Sequence, residues 1–326
     1  MERKIKWGII GLGKIATKFA QDLTTLEGGE LFAVASRSQQ KADEFAVTHH
    51  ATKAYGDYQS LMADAEVEVI YVATPHVSHA QVTMDCLNHG KAVLCEKPFA
   101  MNLQQVEQML KTAAEKKVFL MEALWTRFFP STQKVLDLIH SGEIGAVRLV
   151  QADFGFIADF EPEKRLFNKS LGGGALLDIG IYPLYLSMIC MGLPQAIQAT
   201  AYMGPTDVDH SVNMMLKYGD DQHAMLSATL TATTQTEAWI HGSKKSIHMH
   251  QRFHHCDRLS IYNGHELEST LDFPFDGIGY HFEITEVMNC LRAGQLESKK
   301  MSHQDSRNLM QLLDQTRKVI GLNYEQ

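Results

Sequence analysis

The chain of 326 residues is 45% hydrophobic and 21% charged, and its formal net charge is -8. This length exceeds what one compact core usually organises, so it predicts two domains. The acidic balance argues against a nucleic-acid partner, and we find neither a low-complexity tract nor an internal repeat.

The cysteines, the N-terminus and the hydrophobic stretches of the sequence together predict a cytoplasmic location. The chain has five cysteines, an odd number, with no Cys-x-x-Cys pair, which is typical of a reduced protein. Its N-terminus, Met1-Glu2-Arg3-Lys4, does not resemble a signal peptide. The apolar stretch from Ala175 to Leu193 contains Asp178 and Pro183, so we expect a buried helix and no membrane partner.

A glycine-rich turn follows the first predicted strand, Lys6–Ile10. It reads Gly11-Leu12-Gly13-Lys14-Ile15-Ala16, the GxGxxA form of the dinucleotide-binding fingerprint in its strand–turn–helix setting. Gly11 permits the tight turn, and Gly13 lets a pyrophosphate approach the backbone. A helix from Lys14 to Leu26 would then present its N-terminal amides to the phosphates.

The second strand, Leu31–Ala35, ends in a segment without an acidic residue. An NAD-selective site usually carries Asp or Glu at this point to bind the ribose hydroxyls. Here Arg37 can pair with a 2′-phosphate instead, and the residues that would assist it are Ser36, Ser38 and Lys41. The sequence therefore predicts NADP(H) as the cofactor, with a solvent-exposed Arg37 as the alternative.

Further strands alternate with helices as far as residue 122. The strand Val67–Ala73 stops at Thr74-Pro75-His76, and the last strand of the series is Val118–Glu122. Six such β units predict a doubly wound, mostly parallel sheet. His76 and His79 follow a strand end and could face the cofactor, although isolated histidines are more often structural.

The stretch Ala92–Cys95 predicts a buried strand that stops at Glu96-Lys97-Pro98. Pro98 disfavours a helix at Lys97, which places the lysine at the carboxyl end of the sheet, where ligands bind in open α/β sheets. A lysine beside a carboxylate can act as acid, base or electrostatic anchor. A surface ion pair at the strand end is the alternative.

The pattern changes near residue 123, so we predict a cofactor domain over 1–123 and a substrate-binding and oligomerisation domain over 124–326. Trp125 and Arg127 lie at this boundary, and a buried arginine among aromatic residues needs an anionic or carbonyl partner.

In the second domain, Asp178 and Tyr182 lie four residues apart on a helix predicted over Ala175–Met191. Burying either polar side chain costs free energy unless it is hydrogen-bonded or has a functional role. In the structural alternative, Tyr182 closes the core and its hydroxyl donates a hydrogen bond to Asp178.

Six consecutive strands, from Ile197 to Tyr262, predict a large, mostly antiparallel sheet. The predicted helices are enough to cover only one face of this sheet. The open face suggests a homodimer or a dimer of dimers. A histidine-rich stretch includes His248 and His250, but no acid or thiol completes a zinc spacing, so we predict no metal.

These motifs together resemble the Gfo/Idh/MocA family, named for glucose–fructose oxidoreductase and inositol dehydrogenase, over essentially the whole chain. The most similar members are the dimeric dihydrodiol dehydrogenases and NADP-dependent D-xylose dehydrogenases. The segments that carry the resemblance are the GxGxxA turn, Ala35–Ser38, Thr74–His76, Glu96–Pro98, Met121–Phe128 and Gly173–Tyr182.

This resemblance implies an α/β fold with an N-terminal Rossmann domain and a C-terminal α+β domain with an open-faced sheet. It implies that Lys97 and Tyr182 are the catalytic pair, with Asp178 beside them. It places the cofactor on the residues already discussed, including Glu96, Trp125 and Arg127, and the substrate near Trp125, Arg148 and Phe154.

The implied activity is hydride transfer between NADP and a secondary alcohol or carbonyl of a sugar, a trans-dihydrodiol or a related small polyol. Two alternatives stay open from the residues. One is reduction of another unsaturated group, such as an imine or a dicarbonyl, and the other is a non-enzymatic NADP-sensing protein. The joint presence of Lys97, Asp178 and Tyr182 argues against a sensor, which needs only the first domain.

Overall fold

The computed structural model describes residues 3–324, and the chain forms two compact units. One unit runs to Trp125 and includes Asp276–Arg307, whereas the other comprises Thr126–Phe275 and continues from Asn308. The sequence pattern places a boundary near residue 123 but does not anticipate the return of 276–307 to the first unit. Met1 and Glu2 of the N-terminal stretch considered above lie outside the described residues, as do 325–326.

The first unit contains a six-stranded parallel sheet with the strand order β3-β2-β1-β4-β5-β6. Its central strands are almost entirely buried, as expected when helices cover both faces, whereas the edge strand Lys53–Tyr55 is half-buried. This order is that of the Rossmann fold, so the predicted doubly wound sheet is confirmed. The strands are β1 (Ile5–Ile10), β2 (Gly29–Ala35), β3 (Lys53–Tyr55), β4 (Val69–Val72), β5 (Ala92–Glu96) and β6 (Leu120–Ala123).

The helices of the first unit alternate with these strands and include one from the far end of the chain. That helix, α8 (Tyr280–Arg292), packs against α1. The others are α1 (Lys14–Thr25), α2 (Gln39–His49), α3 (Tyr58–Ala63), α4 (His79–Asn88) and α5 (Leu103–Lys116).

A buried carboxylate on α1 holds the beginning of α8. Asp22 is 2% exposed and accepts hydrogen bonds from the backbone N–H groups of Gly279 (2.8 Å) and Tyr280 (2.7 Å). The first amides of a helix lack partners within the helix and carry a partial positive charge, so a carboxylate stabilises them. This contact fixes the side chains of the first turn of α8 next to the Rossmann sheet.

The second unit contains an eight-stranded sheet with the order β14-β13-β12-β11-β7-β10-β9-β8. Only β7 and β10 pair in parallel, so the predicted, largely antiparallel sheet is confirmed. The polar edge strand β14 was not among the predicted strands. The strands are β7 (Val147–Gly155), β8 (Ala196–Met203), β9 (Asp209–Lys217), β10 (His223–Thr229), β11 (Ala238–Gly242), β12 (Ser246–Met249), β13 (Arg258–Asn263) and β14 (Glu266–Asp272).

One face of this sheet is covered by α7 (Ile181–Met191), which packs on β7 and β10. A π-helical turn, Leu176–Gly180, precedes α7. The stretch Lys169–Met191 is long and apolar enough by composition to cross a membrane, but 89% of its apolar window is buried, as in the core helix of a globular fold. The remaining helices are α6 (Pro130–His140) and α9 (His303–Ile320), whose residues are divided between the two units.

A second buried carboxylate holds the start of this helical segment. Asp209 is 0% exposed, and its Oδ2 accepts a hydrogen bond from the backbone N–H of Leu176 at 2.6 Å. Gly174, at φ +121°, passes so close that a Cβ there would lie 2.1 Å from Asp209 Oδ1. Burial raises the pKa of Asp209 to about 7. The glycines before the helix thus allow the backbone to approach this carboxyl group.

We predict that Asp209→Asn changes how stability depends on pH. In the folded chain Asp209 keeps its proton up to about pH 7, whereas in the unfolded chain it ionises near its ordinary pKa of 3.8. The wild type therefore loses stability as pH rises through this range, and the loss is complete above about pH 7. Asparagine has no such loss, so the Tm of the variant minus that of the wild type should increase with pH and then level off.

Thermal unfolding followed by circular dichroism between about pH 5 and pH 8 measures this difference. Glu122, whose pKa burial also raises to about 7, titrates in both proteins, so its contribution cancels. A Tm difference that stays constant over this range would contradict the prediction.

Candidate active site

The glycine-rich turn has the geometry of a phosphate-binding loop. Gly11 adopts φ +93°, and a Cβ there would lie 2.6 Å from the backbone of Ala73, so only glycine fits. Gly13 precedes α1, has no atom within 4 Å of the position of a Cβ, and offers no side chain to the first amides of the helix. The open helix N-terminus has room for an anionic group such as a pyrophosphate, and the assignment of Gly11–Ile15 to the cofactor stays a prediction.

The end of β2 presents two cations and two structural serines. Ser38 Oγ accepts a hydrogen bond from the backbone N–H of Lys41 at 3.4 Å and so caps α2. Ser36 is 9% exposed, and its Oγ accepts from the N–H of Ser38 at 3.4 Å. Arg37 and Lys41 are exposed. No acidic side chain occurs in Ser36–Ser38, so this end of the strand suits an anionic group.

The carboxyl end of β5 carries the segment that we call the lysine turn, Glu96-Lys97-Pro98. The hydroxyl of Tyr71, on the neighbouring strand β4, donates a hydrogen bond to Glu96 Oε1. The backbone N–H of Lys97 donates to Glu96 Oε2 at 3.2 Å. Burial, and then the charge of Glu96, raise the pKa of Tyr71 well above its usual value, so the phenol stays protonated and donates.

His79 connects the lysine turn to the end of β4. Its ring is 0% exposed, with Nδ1 2.8 Å from the carbonyl oxygen of Pro98 and Nε2 2.9 Å from that of Thr74. His76 is also buried and lies edge-on to His79, with ring centroids 5.7 Å apart. The predicted segment Thr74-Pro75-His76 and the lysine turn are thus joined through one imidazole.

Glu122 holds the peptide unit that directly follows the lysine turn. It is 2% exposed, and its Oε1 accepts a hydrogen bond from the backbone N–H of Phe99 at 3.1 Å. The sequence interpretation placed Glu122 at the end of a strand and gave it no role. Glu122 and His79 thus bind the N–H and the C=O of the single peptide unit that follows Pro98.

Aromatic rings extend this part of the site. Trp125 packs on Tyr280 with ring centroids 4.9 Å apart, and Tyr280 lies edge-on to Phe19 at 6.0 Å. Trp125 was predicted to lie near the cofactor, whereas Tyr280 was not predicted. Arg127 belongs to the second unit, where its carbonyl oxygen accepts a hydrogen bond from the side chain of Gln133.

In the second unit, Tyr182 belongs to a buried aromatic group. Its ring centroid lies 5.7 Å from that of Phe154 and 4.9 Å from that of His254, and the last two rings stack at 4.4 Å. Thr126 fixes this group by donating a hydrogen bond from Oγ1 to the carbonyl oxygen of His254 at 2.7 Å. Phe154 was predicted to border the substrate, whereas His254 was not predicted to lie beside Tyr182.

Asp178 lies in the π-helical turn and forms an ion pair with Arg165 at 2.8 Å. The carboxylate is mostly buried, with 12% side-chain exposure, and Arg165 is 40% exposed. The sequence motifs did not single out Arg165 as a partner of Asp178. Because π-helical turns often occur at functional sites, this turn supports a role for Asp178 and Tyr182.

Arg148 does not join this group. It pairs with Asp221 near the opposite end of β7, six residues before Phe154, a separation of about 20 Å along a strand. The predicted place of Arg148 at the substrate therefore receives no support from its contacts.

The histidine-rich stretch links neighbouring strands. His248 Nε2 lies 2.9 Å from Glu237 Oε2, and His250 Nε2 lies 2.8 Å from Ser260 Oγ. His248 also stacks on Trp239 at 4.3 Å. Within residues 3–324 no group of three or more His, Cys, Asp or Glu side chains is arranged to hold a metal ion.

Two family models match the chain. Residues 5–124 match the oxidoreductase family with an NAD-binding Rossmann fold, and residues 132–248 match the GFO/IDH/MocA C-terminal domain.

Characterised relatives match over nearly the whole length. Trans-1,2-dihydrobenzene-1,2-diol dehydrogenase from Danio rerio is 39% identical over 332 residues, which cover 99% of this chain and 98% of that protein. The protein of the same name from Homo sapiens is 35% identical over 332 residues, with the same coverage.

Solved structures share the fold. A 3-ketoreductase from Actinomadura kijaniata, in complex with NADP and TDP-benzene, is 25% identical, has a TM-score of 0.87 and is covered over 98% of both chains. An aldose-aldose oxidoreductase from Caulobacter crescentus, complexed with glycerol, is 22% identical, has a TM-score of 0.88 and is covered over 97% of both chains, which shows a common fold. On the strength of both family models and of these full-length relatives, the chain belongs to the GFO/IDH/MocA family of oxidoreductases.

Proposed function

We propose that the protein is an NADP-dependent oxidoreductase that transfers a hydride between the nicotinamide and a secondary alcohol or carbonyl of a small diol, sugar or polyol. The observation that carries this proposal is the aromatic group of buried Tyr182, buried His254 and half-buried Phe154, with the Asp178–Arg165 ion pair in the same helical segment as Tyr182. Such a group offers flat apolar surfaces together with polar atoms, which suits a ring that carries hydroxyl groups. The names of the full-length relatives make trans-dihydrodiols the first substrates to test, with aldoses such as D-xylose next.

The residues of the chain would supply binding and proton transfer, because the bound nicotinamide supplies or accepts the hydride itself. An alcohol loses its hydroxyl proton as its carbon loses hydride, so a base is required. Tyr182 has the hydroxyl for this step, but a phenol of ordinary pKa, about 10, needs a cation to stabilise its phenolate. Lys97 either provides that cation or takes the proton itself, and Asp178 forms an ion pair with Arg165.

The predicted NADP preference rests on the end of β2. A 2′-phosphate carries negative charge and pairs well with a guanidinium, whereas NAD has a ribose hydroxyl that prefers a carboxylate at this point. Arg37 and Lys41 are both exposed here, and the serines beside them are already engaged in the backbone of the turn.

We expect Arg37→Asp to abolish or invert this preference, because it replaces attraction for the 2′-phosphate by repulsion. The measurement is kcat/KM with NADP and with NAD at one fixed substrate concentration. Lys111→Asp is a suitable control, since it reverses an exposed charge on α5. Equal kcat/KM values for the two cofactors in the unmodified protein would refute the preference.

We expect Lys97→Met and Tyr182→Phe each to lower kcat by about 10²-fold or more, because each removes a group that acts on the same proton. The kcat of the double variant should be little lower than that of the less active single variant, because the effects of substitutions within one catalytic unit are not additive. Affinity for NADPH, measured by fluorescence titration, should change little. Lys116→Met and Tyr218→Phe serve as controls of the same chemistry at other positions.

Absorbance of the nicotinamide, followed in both directions with trans-dihydrodiols, aldoses and dicarbonyls, selects the substrate for these assays. Full activity of Tyr182→Phe would reduce the tyrosine to a packing role. Full activity of Lys97→Met would overturn the proposed mechanism.

The open face of the second unit's sheet supports a homodimer or a dimer of dimers. On β9 and β10, Met214 and Leu226 are 3% exposed, whereas their neighbours Met215 and Met225 are 47% and 48% exposed. Trp239 on β11 contributes to the same face. Exposed methionines and a tryptophan in one patch are typical of a protein interface.

Light scattering should therefore give at least twice the mass of one chain at micromolar concentration. Met225→Glu should shift the protein toward the monomer, because it places an unpaired charge in the patch, whereas Val47→Glu, on exposed α2, should not. A monomeric unmodified protein would contradict this proposal.

We also propose a cytoplasmic location. All five cysteines are buried and have free thiols, as expected for a protein that folds in a reducing compartment.

A further inference from the structure

The segment that follows α9 packs against the three glycines that precede the π-helical turn. We call these glycines, Gly172–Gly174, the triple-glycine turn. The hydroxyl of Tyr324 donates a hydrogen bond to the carbonyl oxygen of Gly173, 151 positions away in the sequence. Tyr324 has no part in the proton transfer proposed above, so this contact points to a different role.

The end of α9 directs Tyr324 toward this turn. Gly321 has φ +73°, and the backbone N–H of Leu322 donates to the carbonyl oxygen of Arg317 at 2.9 Å. This is the Schellman arrangement, which ends a helix at a glycine in the left-handed region. The guanidinium of Arg317, which also pairs with Asp314, lies over the ring of Tyr324 at 5.3 Å from its centroid. The ring is therefore held by a cation–π contact in addition to the hydrogen bond of its hydroxyl.

Asp209 and Tyr324 approach the triple-glycine turn together at Gly174. A Cβ on Gly174 would lie 2.1 Å from Asp209 Oδ1 and 3.2 Å from the hydroxyl oxygen of Tyr324. Burial, and then the charge of Asp209, raise the pKa of Tyr324 above its usual value, so the phenol stays protonated and donates. Asp209 also binds the N–H of Leu176 through Oδ2, so the chain is held on both sides of Gly174.

The triple-glycine turn connects the two partners of the ion pair described above. The N–H of Gly174 donates to the carbonyl oxygen of Leu166 at 2.9 Å, and Leu166 directly follows Arg165. The carbonyl oxygen of Gly174 accepts from the N–H of Asp178 at 3.4 Å. Asp178 pairs with Arg165 at 2.8 Å, and Tyr182 lies four residues further along the same segment. A displaced turn would therefore move Asp178 and Tyr182 together.

We propose that Tyr324 is a positioning residue of the proposed active site. Its hydroxyl fixes the peptide unit that joins the last two glycines of the turn, and this unit in turn keeps Asp178 and Tyr182 in place. The proposal rests on the function proposed above for Tyr182. Tyr324 itself touches neither substrate nor cofactor in this role.

Tyr324→Phe removes the hydroxyl and keeps the aromatic ring that faces Arg317. We expect its kcat with the best trans-dihydrodiol or aldose substrate to fall by about tenfold, because a small displacement of reacting groups slows catalysis strongly. The KM for NADP should stay unchanged, because the GxGxxA turn belongs to the first unit. Asn323→Ala, at the exposed residue before Tyr324, is the matched control and should leave both values unchanged.

A double-mutant cycle with Tyr182→Phe separates positioning from a contribution to stability alone. If Tyr324 acts through Tyr182, Tyr324→Phe should lower kcat much less in the Tyr182→Phe background than in the unmodified protein. A residue that only stabilises the fold would lower the Tm equally in both backgrounds and leave kcat unchanged. The kcat values are compared at a temperature at which circular dichroism shows all variants to be folded.

Three results would overturn the positioning role. One is an unchanged kcat of Tyr324→Phe, and another is an equal relative loss of kcat in both backgrounds. The third is a Tyr324→Phe variant that does not fold, which would make the hydroxyl a structural requirement. Full activity of Tyr182→Phe has a different meaning, because it refutes the role proposed for Tyr182, and the positioning role falls with it.

Discussion

Polar groups that are buried at the ends of parallel strands must find hydrogen-bond partners inside the protein. Around Lys97 these hydrogen bonds connect the residues before and after the lysine to neighbouring strands and helices. Tyr71 donates to Glu96, His79 lies between the carbonyl oxygens of two strand ends, and Glu122 accepts the amide that follows Pro98. Each of these groups would be costly without its partner. The segment that carries Lys97 is thereby held by buried hydrogen bonds, which suits the catalytic role proposed for this lysine.

The sequence motifs predict the first unit well because their causes are local. Gly11 is required by a close approach to Ala73, and the strand that ends in Glu96-Lys97-Pro98 is both apolar and interrupted by proline. Asp178 and Tyr182 were recognisable from the sequence because burying two polar side chains on an apolar helix costs free energy unless they are hydrogen-bonded or functional. The structure brings Tyr182 together with Phe154, whereas the roles of these residues in catalysis stay predictions.

Contacts between distant parts of the sequence could not be predicted. Asp22 and Gly279 are 257 positions apart, and nothing local marks either residue as the partner of the other. The same holds for His254 beside Tyr182. The strand β14 was missed for a different reason. It is polar and exposed at the edge of its sheet, although the two-residue turn before it, Gly264-His265, has glycine in its first position, as is common in hairpins.

The most direct test of this account follows the hydride itself. A trans-dihydrodiol or sugar that carries deuterium at the reacting carbon is incubated with the protein and NADP, and the reduced cofactor is analysed by mass spectrometry. The account predicts NADPH that contains one deuterium from the substrate and a kcat that is lower than with the unlabelled compound. NADPH without deuterium, or no NADPH with any diol, sugar or polyol tested, would contradict it.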